Sequence, residues 1–245
     1  MSEAALSLEN VTAGYLGHLP VVKEITFDVQ PGETFGLIGL NGAGKTTMVK
    51  AILGMRSQQE GTINIYGKPS SLKDSRKRLA FLPERFEPPW FLNGMEFVKF
   101  SLELYKHSFN EEAVYEAAEK IALDTDALKR RVQTYSKGMR QKLGLIATFL
   151  TPCDLLILDE PMSGLDPKAR ALVKKMFVEK GAVPNRTIFL SSHILSDMDE
   201  ICDRVTVLDQ AELKFIGSPK DFKSQMKVKD MERAFLKLIE VRKAA

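Results

Sequence analysis

Among 245 residues there are only two cysteines, one tryptophan and three histidines. Cys153 and Cys202 lie far apart and lack the spacing of a metal site, so they read as reduced, packed thiols of a cytosolic protein. No charged-then-apolar leader opens the chain, and no secretory signal is expected. Long hydrophobic runs are missing too. The longest, Leu143 to Leu158, is broken by Pro152 and Asp154 and falls short of the roughly 20 residues a membrane-spanning helix needs. A net charge of +3 gives no argument for nucleic acid, and the basic run Lys73-Asp74-Ser75-Arg76-Lys77-Arg78 reads as a solvated face. There is no internal repeat and no low-complexity stretch. What remains, 44% hydrophobic and 27% charged residues, is the composition of an ordinary globular protein, long enough for one large domain or a domain with an inserted lobe.

The pattern along the chain is that of an α/β protein. Leu6 and Leu8, and then Ile25, Phe27 and Val29, alternate with polar neighbours as strands do. Thr34 to Ile38 is a short apolar strand that runs into a Gly-rich loop, with a helix from Thr46 to Leu53. Strands are expected again at Gly61–Gly67 and Arg78–Leu82. From about Pro88 to Leu150 the character turns helical, with Asn93, Asn110 and Ser136 as caps. Strands and helices then alternate: strands at Leu155–Leu158, Ile188–Ser191 and Val205–Leu208, and helices from Asp166-Pro167 toward Glu179 and at Leu195–Cys202. This is the order of a parallel α/β core. Met231, Ala234, Phe235, Leu238 and Ile239 mark an amphipathic helix in the tail.

Two segments carry chemistry. Gly39-x-x-x-x-Gly44-Lys45-Thr46 follows a strand and opens a helix, the context in which this spacing makes a phosphate cradle. Its glycines let backbone N–H groups converge on an anion, and the helix points its positive end at the same place. Lys45 would neutralise β- and γ-phosphates, and the Thr46 hydroxyl would ligate Mg²⁺. Further on, Leu155-Leu156-Ile157-Leu158-Asp159-Glu160 is an apolar strand ending in two carboxylates. Asp159 is expected to bind Mg²⁺ and Glu160 to act as general base toward the attacking water.

Gly39–Thr47, Ser136–Gln141, Leu155–Pro161, Ser163-Gly164-Leu165-Asp166 and His193, in that order, resemble the ATP-binding-cassette (ABC) ATPases, and the resemblance covers essentially the whole chain. Leu82-Pro83-Glu84, Tyr135-Ser136-Lys137-Gly138-Met139-Arg140-Gln141 and Ser191-Ser192-His193-Ile194-Leu195 are most similar to ATPase subunits of bacterial drug, antibiotic and lantibiotic exporters with separate membrane subunits. The resemblance implies a P-loop NTPase (RecA-like) parallel-sheet core with an N-terminal antiparallel β subdomain and an inserted helical signature subdomain. The expected boundaries are residues 1–87 for the antiparallel part and the P-loop, 88–150 for the helical subdomain, 151–220 for the rest of the core and 221–245 for a helical tail, all in a single ATPase domain.

The resemblance also implies roles. Tyr15 would stack on adenine, and Asn41, Gly42, Ala43, Gly44, Lys45, Thr46 and Thr47 would hold the phosphates. Ser136 and Gly138 would grip the γ-phosphate of ATP on the opposite subunit. Asp166 would line the dimer interface, and His193 would contact the γ-phosphate beside Glu160. Glu84 stands where most of the family has Gln, and a carboxylate there can still reach Mg²⁺. Lys137 and Met139 replace the common Gly and Gln of the signature. Asp209-Gln210-Ala211-Glu212 replaces a tight Gly-containing turn, and a looser turn without functional contact is expected.

The expected function is that of a Mg-dependent ATPase that dimerises around ATP, as a homo- or heterodimer. It would power export through a membrane permease while sitting on the cytoplasmic face of the membrane. Phe86-Glu87-Pro88-Pro89-Trp90-Phe91 would border the groove that receives the permease, unless its aromatics serve only the lobe's own core. The alternative is a soluble ABC ATPase acting on nucleic acid, ribosomes or cofactor assembly. A short helical lobe and the lack of a basic stripe speak against it. A non-hydrolysing regulatory module is disfavoured by the presence of both Glu160 and His193.

Overall fold

The computed structural model describes residues 3–15, 19–56, 58–180 and 185–243. In chain order the elements are β1 (Leu6–Gly14), β2 (Pro20–Val29), β3 (Thr34–Ile38), α1 (Lys45–Ile52), β4 (Gln58–Ile65), β5 (Lys68–Pro69), β6 (Leu79–Leu82), α2 (Gly94–Leu104), α3 (Glu111–Lys120), α4 (Lys137–Phe149), β7 (Leu155–Asp159), α5 (Pro167–Glu179), β8 (Thr187–Ser192), α6 (Leu195–Ile201), β9 (Arg204–Asp209), β10 (Glu212–Gly217), α7 (Pro219–Met226) and α8 (Met231–Lys243). They fall into two compact units, Met1–Arg76 with Thr187–Ala245, and Lys77–Arg186.

In the first unit β1 pairs antiparallel with β2 and β4, and β4 with β5. A second sheet has β3 between β8 and β9, parallel to both, with β10 antiparallel on β9. Every residue of β3 and β8 is buried, which is why both read as continuous apolar runs instead of alternating ones. Phe27 of the antiparallel sheet stacks on Phe35 of β3 with centroids 5.2 Å apart, and Phe189 of β8 lies 6.0 Å from Phe27. A Cβ at Gly36 would sit 2.8 Å from Cys202 Sγ, so the glycine lets the end of α6 close onto β3. The expected tail helix forms as α8. It buries Met231, Ala234 and Phe235 and packs on α6 and α7.

The turn between β9 and β10 corrects an expectation. Asp209 pairs with Glu212, leaving a two-residue turn in which Gln210 has φ 48° and Ala211 φ 68°. That is a tight hairpin with the positive φ pair of a type I′ turn, built without glycine.

In the second unit β6 and β7 run parallel, Leu79 opposite Leu155 and Leu82 opposite Leu158. The helices start where cap chemistry says they should. Asn93 accepts from Glu96 N–H while the Glu96 side chain accepts from Asn93 N–H, a capping box. Asn110, Ser136 and Asp166 cap α3, α4 and α5. Gln141 through Phe149 of α4 are buried, so the apolar run from Leu143 to Leu158 is a core helix followed by a core strand. Among the described residues no helix is long and apolar enough to cross a membrane.

Candidate nucleotide site

The phosphate cradle lies wholly in the first unit. β3 delivers the chain to Gly39, where a Cβ would stand 2.7 Å from the Leu208 carbonyl. Gly42 and Gly44 have φ of 85° and 108°. At Gly44 a Cβ would also meet Val22 Cγ1 at 2.9 Å and Val21 O at 3.0 Å, so both backbone and space demand glycine. α1 then begins at Lys45 with no side-chain cap from Gly44, at the helix end that favours an anion. Lys45 folds back over the loop, and its Nζ donates to Gly39 O at 2.8 Å.

Three loops leave the same ends of neighbouring parallel strands here. Ile38 of β3 is level with Ser192 of β8, so the exposed His193 emerges beside the cradle's entry strand. On the other side Ile38 is level with Val207 of β9, which runs into the tight hairpin. Asp209, Gln210 and Ala211 line an open cavity of about 490 Å³ together with Val21 and Leu40–Ala43. The turn thus borders the cradle loop Leu40–Ala43. Lys23 N–H donates to Ala211 O at 2.7 Å, which ties β2 to the turn.

Tyr15 follows β1 and is 54% exposed. Its ring is not alone. The guanidinium carbon of Arg56 stands 3.9 Å from the ring centre, and Arg56 Nη1 donates to Gly14 O at 3.2 Å. Nothing in the sequence spacing pointed to this pair.

The second unit holds the carboxylates and the other turn. Asp159, 2% exposed, ends β7, and Glu84 lies just beyond the end of the adjacent β6. Glu160 is buried with φ 49°, a left-handed conformation that costs a non-glycine residue about 1–3 kcal/mol and turns the chain sharply off the strand. Ser136 Oγ accepts from Met139 N–H at 3.2 Å, and its own proton remains available to a phosphate oxygen. Gly138 packs on the Gly164 carbonyl, 3.1 Å from where its Cβ would be.

The replaced signature residue Lys137 has a definite contact. It lies across Gly164, and its Nζ donates to Ser163 Oγ at 3.4 Å. Gln141 Nε2 donates to Pro161 O at 2.9 Å. The signature turn is thus fastened to the Pro161–Asp166 loop, whose Asp166 carboxylate is held below the usual range chiefly by the Ala169 N–H it accepts. Among the described residues no cluster of three metal-ligating His, Cys, Asp or Glu side chains occurs. The donors the sequence nominates, Thr46, Asp159 and Glu84, are all hard oxygens of the kind Mg²⁺ takes together with phosphate oxygens.

The family profile described as ABC transporter matches residues 22–163, well over half of the chain. The chain belongs to the ABC transporter family. A solved structure of the ATP-binding subunit of an ABC transporter superposes with a TM-score of 0.81 at 29% identity, covering 96% of this chain and 99% of that one. The bacitracin transport ATP-binding protein BcrA of Enterococcus faecalis is 35% identical over 86% of this chain and 68% of its own length. An uncharacterized ABC transporter ATP-binding protein of Nostoc sp. is 37% identical over 80% of this chain, which spans only 59% of that relative. The fold is accordingly the P-loop NTPase fold of the ATP-binding subunits of ABC transporters.

Proposed function

We propose that this chain binds Mg-ATP, pairs with a second ATPase subunit around two ATP molecules, and powers a membrane permease that exports its substrate. The observation that supports the reading is that one chain carries two polar turns, each opening a helix. The first is the uncapped N-terminus of α1 behind Gly42 and Gly44; the second is the Ser136 turn with its donor hydroxyl. On the family pattern the first turn holds the chain's own ATP and the second holds the γ-phosphate of the neighbour's. Binding of that phosphate would then close the pair, and its loss would open it.

In this reading Asn41–Thr47 wrap the phosphates, with Lys45 exchanging its carbonyl partners for phosphate oxygens, and Tyr15 stacks on the base. Thr46, Asp159 and Glu84 would hold Mg²⁺, which would neutralise charge on the phosphates. Glu160 takes a proton from the attacking water, and His193 contacts the γ-phosphate and keeps that water in line. Replacing Glu160 by Gln keeps shape and removes the base. Turnover should fall by roughly 10²–10⁴-fold while ATP still binds, and a variant that hydrolyses ATP at the wild-type rate would remove Glu160 from this role.

The permease contact is proposed on the second unit. Trp90 and Phe91 are 64% and 55% exposed and pack edge to face on each other. Near them in sequence, Phe86, Phe97, Phe100 and Leu104 line a cavity of about 250 Å³. Phe86 itself packs on Phe97 and against Gly144, so the segment splits: Phe86 serves the unit's interior and Trp90-Phe91 faces outward. An exposed aromatic pair is the kind of surface that takes a partner helix. The chain would thereby sit on the cytoplasmic face of the membrane through its permease. Export is the direction that fits kinship with a linearmycin resistance ATP-binding protein of Bacillus subtilis, 29% identical over 90% of this chain.

A further inference from the structure

We infer that Arg56 is a positioning residue for the nucleotide base: it holds the Tyr15 ring flat from one face so that adenine stacks on the other. The inference rests on the reading of Tyr15 as the base-stacking residue and adds a residue that reading does not contain. Arg56 follows the last turn of α1, and both Met55 and Arg56 donate their N–H groups to Lys50 O, which anchors this backbone to the helix that carries Lys45 and Thr46. From there the side chain reaches back to the end of β1. It donates to Gly14 O at 3.2 Å and lies over the Tyr15 ring at 3.9 Å.

Arg56 Nε is buried and has no hydrogen-bond partner among the described residues. A desolvated guanidinium N–H without an acceptor is costly, and the negative face of the tyrosine ring is the group placed to compensate it. The contact thus restrains the ring, by the modest amount of a cation–π contact at a part-exposed site. With one face covered by Arg56 and 54% of the residue still open, the base has the opposite face. The cation draws electron density from the ring and so favours stacking by an electron-rich purine. The ring also no longer has to be immobilised when nucleotide arrives. Through Arg56 the base platform and the phosphate cradle share one helix, α1.

The test compares equilibrium binding of Mg-ATP and of Mg-tripolyphosphate, which carries the same phosphates without a base, to the whole chain. Arg56→Ala should weaken ATP about threefold to tenfold and leave tripolyphosphate unchanged. Arg56→Met, which keeps the aliphatic stem, gives the same readout if the alanine variant does not fold. Arg56→Lys, which restores a cation without the planar fork, should recover part of the loss. Unchanged ATP affinity, equal losses for both ligands, or a lysine variant no better than methionine would each overturn the assignment. Tyr15→Ala separates the two claims. If it leaves ATP affinity intact, base stacking on Tyr15 fails and Arg56 with it. If it weakens ATP while the Arg56 variants do not, only the role of Arg56 falls.

Discussion

Arg186 is fully buried and directs its guanidinium at backbone carbonyls: Nη1 to Phe149 O and Nη2 to Thr151 O, both at 2.6 Å, and Nε to Cys153 O at 3.2 Å. These oxygens lie at and beyond the C-terminus of α4, where a helix leaves acceptors unsatisfied and favours a cation. Burial pushes the Arg186 pKa down, yet the group keeps its place because it satisfies three acceptors at once. Arg186→Met fills the space and strands those carbonyls. It should cost roughly 3 kcal/mol or more in a urea unfolding titration, and a loss under 1 kcal/mol would contradict the account. Residues of this sort were invisible in the sequence, because their partners are distant in the chain. Arg186 and Arg56 carry no local signature. The helix caps at Asn93, Asn110, Ser136 and Asp166 were legible, because a cap acts on N–H groups two or three residues away and so leaves its mark in the sequence itself.

At the scale of elements, periodicity located most of the buried core strands and the capped helices to within a residue or two. By contrast, β5, β10 and α7 are not among the expected elements, and β4 begins three residues earlier than expected. The turn before β10 is instructive. Without Gly or Asn-Gly, the segment Asp209–Glu212 gives no hairpin signal, and a loose turn was the natural reading. The strand pairing of β9 with β10 and the hydrogen bond from Lys23 to Ala211 O impose the tight turn regardless, at the expense of left-handed backbone at Gln210 and Ala211. Ala211→Gly should relieve that strain and stabilise the chain by roughly 1 kcal/mol, read as a higher urea midpoint with an unchanged slope. A destabilised variant would mean the alanine methyl contributes packing that outweighs its backbone strain. The turn borders Leu40–Ala43, so its geometry also bears on the cradle, a link that only the parallel register of β3 and β9 reveals.

At the scale of the molecule, the proposed chemistry depends on a second subunit and a permease. Trp90→Ala with Phe91→Ala should leave ATP turnover of the isolated chain unchanged and abolish stimulation or transport when a permease is present. Unfolding of that variant, or unaltered coupling, would assign the pair to the chain's own packing. The family was legible in the order of five motifs, and the fold followed from it. The proposed site residues come one by one from motif positions, whereas the fastening of Lys137 to Ser163 and Gly164 and the contact of Arg56 with Tyr15 needed three-dimensional structure. The central claim is that ATP is held between two chains, Lys45 and Thr46 from one and Ser136 and Gly138 from the other. Its most direct measurement is the solution mass of Glu160→Gln, which traps ATP without consuming it, on a sizing column with and without saturating Mg-ATP. The account predicts a monomer without nucleotide and a dimer with it. A chain that stays monomeric with ATP fully bound would contradict it.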